Sequence, residues 1–153
     1  MLSVKLQLLK KPGNNTVSEK IFTKRKLNEL IIEKSDRGLA VKIFKLLQDS
    51  KAEEIVLIDV RKSSNLADYI YICEGRSQLH CRGIAENVMF RLKHQGEIHL
   101  GIEGENEGNW VLIDYGNIIL HVFHPEIRKY YNLEELYASY QEKNGVIRNK
   151  PAN

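Results

Sequence analysis

The chain has 153 residues, a length that suits one domain able to bury a core without disulfides or metal. Apolar residues make up 42% and charged residues 28%, both close to globular averages, which excludes disordered, collagen-like and disulfide-rich classes for the chain as a whole. The formal net charge of +3 raises the question of a nucleic-acid partner.

Residues 1–34 carry eight Lys and Arg against three Glu, a balance of +5, which leaves 15 basic and 17 acidic groups, or −2, on residues 35–153. The basic balance therefore belongs to an N-terminal extension. Pro12-Gly13-Asn14-Asn15 breaks regular structure, so residues 1–34 are expected to be a weakly ordered extension and a candidate contact for RNA or an acidic surface. Met1–Leu9 is interrupted by Lys5 and Gln7 and lacks a signal-peptide core. No apolar run approaches the ~18 residues of a membrane span. Two cysteines, Cys73 and Cys81, make no disulfide framework, and a reducing, cytoplasmic setting is expected.

Regular structure becomes legible near Leu27, and a helix from Ser35. Leu39, Ile43, Leu46 and Leu47 fall at helical spacing, predicting a helix to about Asp49. Ile55–Ile58 is a continuous apolar run that reads as a buried strand ending at Asp59. After a polar loop, Tyr69–Cys73 is a second strand. Ser77 is a candidate N-cap for a long helix with the stripe Cys81, Ile84, Ala85, Val88 and Leu92, which Gly96 can end in the left-handed region. Ile98–Glu103 reads as a short strand. Trp110–Tyr115 and Ile118–Phe123 flank Gly116-Asn117, a pair suited to a type II′ hairpin. That turn would set Trp110 opposite Phe123, Leu112 opposite His121 and Asp114 opposite Ile119. Pro125 suits a first helical turn. Asn132 with Glu135 resembles a capping box opening a short helix through Leu136 and Tyr140. Residues 141–153 read as a polar tail. The order of elements predicts an α/β domain over residues 35–140, a mixed sheet of about five strands with helices packed on it.

Candidate chemistry is sparse. His121 and His124 are three apart on a strand, so they point to opposite faces, and Cys73, His80 and Cys81 match no zinc spacing. Neither metal nor cofactor is expected. Glu74-Gly75-Arg76-Ser77, between a strand and a helix N-terminus, could hold an anion and loosely resembles the Gly-Ser turn of nucleotidyltransferases. That chemistry needs paired carboxylates for a metal, and the following Ile84–Val88 has one acid. What remains is the hairpin. Val111, Ile113, Tyr115, Ile118, Leu120 and Val122 form one apolar face, while Trp110, Leu112, Asp114, Ile119, His121 and Phe123 mix aromatics with a carboxylate and an imidazole. Aromatic anchors with a few polar groups suit the centre of a protein interface.

These residues are also familiar. Asp59-Val60-Arg61-Lys62-Ser63-Ser64, Ala67-Asp68-Tyr69, Ile72–Ser77, Glu103-Gly104, Gly108–Gly116 and His121-Val122-Phe123-His124-Pro125 resemble the Iojap/RsfS family, the ribosomal silencing factors, over about residues 35–137. The resemblance implies a nucleotidyltransferase-like fold without the catalytic carboxylates, and no enzymatic activity. It implies binding to the large ribosomal subunit through its ribosomal protein fourteen, which blocks joining of the small subunit and lowers translation when nutrients are scarce. The family's Trp and following Asp-Tyr fall on Trp110, Asp114 and Tyr115; the hairpin register extends this partner-binding set to His121 and Phe123. Two other readings stay open: a nucleotide-binding enzyme using Gly75, Ser77 and Asp68, and a homodimer that self-associates through the Trp110 face.

Overall fold

The computed structural model describes residues 38–61 and 66–136, together with Lys5 and Lys20–Phe22. The first strand, β1 (Lys20–Phe22), lies in the basic extension. Helix α1 (Leu39–Asp49) follows, then β2 (Glu53–Asp59), β3 (Tyr69–Glu74) and helix α2 (Gln78–His94). Strands β4 (Gly101–Glu103), β5 (Trp110–Asp114) and β6 (Ile118–Phe123) lead to helix α3 (Pro125–Tyr131). A further helical turn covers 133–136; the rest of the helix expected through Tyr140, the tail 141–153, and the start expected near Ser35 lie outside the described residues.

The sheet order is β1-β2-β3-β6-β5-β4. Strand β6 runs parallel to β3 and antiparallel to β5, and the other pairs are antiparallel. The expected α/β mixed sheet is therefore present as β2–β6. Strand β1 adds a sixth member, pairing Ile21 with Ile58 on the outer edge of β2. The basic extension is thus not wholly separate from the domain. Ile21-Phe22 is a β-favouring pair in an otherwise polar stretch.

Burial explains the order. All six residues of β6 are buried, and each fully buried aliphatic or aromatic side chain contributes about 1.5–3 kcal/mol. A strand apolar on both faces is stable only at the centre of a sheet covered on both sides. One face packs Val111, Ile113, Tyr115, Leu120 and Val122 against α1 and α2. The other packs Trp110, Leu112, Ile119 and Phe123 with Ile70, Ile72 and Leu133.

Local signals act as expected in several places. Ser77 Oγ accepts the His80 N–H at 3.0 Å and caps α2, and Gly96 has φ +83°. The hairpin register is the predicted one: Trp110↔Phe123, Leu112↔His121, Asp114↔Ile119. Of the two turn residues only Gly116 has positive φ, as type II′ requires. The strand expected over Ile98–Glu103 is shorter. Leu100 N–H donates to Asp114 O at 2.7 Å and pairing starts only at Gly101, while Ile98 and Leu100 project into solvent.

Candidate docking face of the hairpin

Strand alternation puts Trp110, Leu112 and Asp114 of β5 on the same face as Ile119, His121 and Phe123 of β6. Expected as an open surface, that face is mostly closed. Helix α3 and the turn at 133–136 fold back across it, bringing Ile127, Leu133 and Leu136 onto the layer. Trp110 is 6% exposed, Phe123 1% and His121 0%. His121 and Phe123 therefore do not lie on the surface, because the short C-terminal elements need the same apolar face to bury their own.

The indole is held from several directions. It stacks on Phe123 at 4.9 Å between centroids and meets Tyr131 of α3 at 4.6 Å. Its Nε1–H donates to His121 Nδ1 at 2.9 Å. That bond leaves the imidazole proton on Nε2, which has no partner among the described residues. Burial, helped by the charge of Lys5, holds the His121 pKa down at about 3, so the ring is neutral and serves as an acceptor. Lys5 itself reaches the indole from the extension, with Nζ 4.6 Å from the ring centroid and donating to Trp110 O.

Asp114 and Tyr115 do different work. Asp114 Oδ1 accepts the Gly116 N–H at 2.7 Å, an Asx-type bond that pins the hairpin turn. Tyr115 lies on the opposite face, in the core with α1 and α2, its ring 6.4 Å edge-on from His99. Burial, with a smaller push from Glu97, raises its hydroxyl pKa to about 12.

Sequence reasoning missed the exposed rim. Tyr130 is 80% exposed and Tyr131 38%. Tyr130 packs edge-on against Tyr131 at 5.0 Å, continuing the aromatic stack from Trp110. The adjacent Tyr130-Tyr131 at the end of a Pro-started helix was the available signal. Also missed was Arg128, whose guanidinium donates to Glu134 Oε1 at 2.7 Å and Glu54 O at 2.7 Å and lies 3.4 Å from Glu74 Oε1. It ties α3 to the sheet.

The Gly75–Ser77 turn is committed to the fold. A Cβ on Gly75 would meet Cys81 Sγ at 2.7 Å and its backbone N at 2.8 Å, so the glycine is there for helix–strand contact. The Arg76 N–H donates to His80 Nδ1 at 2.9 Å, and His80 N–H to Ser77. The backbone N–H groups of Gly75, Arg76 and His80 are therefore already engaged within the fold. Asp68 sits at the far end of β3, whose six residues span roughly 20 Å. Gly75, Ser77 and Asp68 therefore do not form one site.

The profile of a family described as "Ribosomal silencing factor during starvation" matches residues 33–152. The chain belongs to the RsfS family of ribosomal silencing factors. It is 39% identical over 103 residues to ribosomal silencing factor RsfS of Halalkalibacterium halodurans, covering 66% of this chain and 88% of that one. A more distant mouse protein, named mitochondrial assembly of ribosomal large subunit protein 1, is 29% identical over 96 residues, 61% of this chain and 42% of its own length. A crystal structure of a Chromobacterium violaceum protein superposes with TM-score 0.64 at 28% identity, covering 78% of this chain and 94% of that one. Within the RsfS match lie the whole hairpin and the Trp110 face; Lys5 and β1 lie before it. No helix among the described residues is long and apolar enough to cross a membrane.

Proposed function

We propose that this chain is a translational silencer, working in the cytoplasm, that docks on the large ribosomal subunit through its ribosomal protein fourteen. Once seated, it blocks the small subunit by volume and lowers translation under nutrient limitation. Membership of the RsfS family over residues 33–152 carries the reading. No chemistry is required, only affinity and shape, with a few aromatic anchors supplying most of the energy. Trp110 and Asp114 are the contact residues, with Tyr131 and the exposed Tyr130 continuing the aromatic surface from the indole. His121 and Phe123 act from beneath by fixing the indole, and Tyr115 acts from the opposite face by backing the hairpin turn.

Burial makes Trp110→Ala a poor test, since losing a packed indole costs about 3–5 kcal/mol of stability by itself. Asp114→Asn is cleaner, because the amide oxygen still accepts the Gly116 N–H while the charge is gone. Wild-type protein is expected to co-sediment with isolated large subunits and to slow subunit joining followed by light scattering. Asp114→Asn should bind about tenfold more weakly, the scale of one charge-assisted hydrogen bond. Failure of the wild type to sediment with large subunits would sink the proposal.

A further inference from the structure

Lys5 occupies a shape that the domain itself supplies. Its Nζ lies over the Trp110 indole and donates to Trp110 O. Its backbone N–H donates to Glu103 Oε2 at 3.3 Å, and the charges of Glu103 and Glu107 oppose the effect of burial on the ammonium. Gly104, at φ +75°, leaves the space: a Cβ there would stand 2.6 Å from Lys5 Nζ and closer still to Trp110 O. An indole face, a backbone carbonyl, the Glu103 carboxylate on the Lys5 backbone N–H and a missing side chain together make a seat for one lysine. Every wall of that seat lies inside residues 33–152, whereas Lys5 lies outside them.

We infer that Trp110, Gly104 and Glu103 form a lysine-binding cradle, filled in cis by Lys5, which a basic side chain of the docking partner displaces. The displacement rests on the proposed docking through Trp110; the cradle does not. The two separate cleanly, because Trp110 is the sole tryptophan of the chain and its fluorescence reports the cradle without any ribosome. In Lys5→Ala the indole loses its lid, and acrylamide quenching should rise about twofold, the order expected when one contact face opens. Affinity for isolated large subunits should rise about two- to fivefold, the range of one exposed cation–π contact that no longer has to be broken. Lys10→Ala removes the same charge from the same extension and should leave the quenching unchanged.

Unchanged quenching in Lys5→Ala would overturn the cradle, as would an equal rise in Lys10→Ala. A rise in quenching with unchanged or weaker ribosome binding would overturn the displacement. Failure of every variant, wild type included, to bind large subunits would remove the docking reading and the displacement with it, and quenching alone would then decide the cradle.

Discussion

His121 shows what one buried group does to the whole chain. Its pKa stands near 3 in the fold and near 6.5 once exposed. Between those values the unfolded chain binds a proton that the folded chain refuses, so stability is full above about pH 6.5 and falls as the pH drops. The slope approaches 1.4 kcal/mol per pH unit, or about 2 kcal/mol by pH 5. Urea midpoints of the wild type should therefore fall from pH 7 to pH 5, and His121→Gln should flatten much of that fall. Equal slopes in the two proteins would show that other groups govern acid sensitivity. The sequence placed His121 beside Trp110, but its hydrogen bond depends on ring orientation and on the lid above, which strand alternation does not encode.

Among the elements, the hairpin was the most legible, because alternation and a two-residue turn are local and each leaves one register. The lid was not legible. Pro125–Tyr131 is seven residues and the turn at 133–136 shorter, too brief for a periodic stripe to declare which face it covers. What seats them is Arg128, whose side chain is only 10% exposed between Glu74 and Glu134. It also takes the carbonyl of Glu54, a residue at φ +49° beside the register shift in β2. A bulge frees that carbonyl from the ladder, and Arg128 satisfies it from another element. Arg128→Met strands two carboxylates and one carbonyl, and should cost about 3–5 kcal/mol in chemical denaturation. A loss below about 1 kcal/mol would mean the network behaves as an exposed one. A long-range staple of this kind, 74 residues from Glu54, leaves no mark in either segment alone.

At the scale of the molecule, the +3 charge divides into a +5 extension and a −2 body. A mildly acidic body suits approach to a basic ribosomal protein, while the extension is proposed to add contacts to ribosomal RNA. Replacing Lys24, Arg25 and Lys26 by Gln should then flatten the salt dependence of large-subunit binding by about 2 in log–log slope, given roughly 0.7–0.9 per phosphate contact. An unchanged slope would leave those residues without an RNA role. The sheet order carries a different consequence, for the timing of synthesis. Strand β3 is finished at Glu74, but its parallel neighbour β6 begins only at Ile118. At 5–20 residues per second, the wait is about 2–9 s. Throughout that interval a nascent strand, apolar on both faces, presents one bare edge. The central seam of the nascent chain thus stays open, and closes only when the Trp110 hairpin emerges.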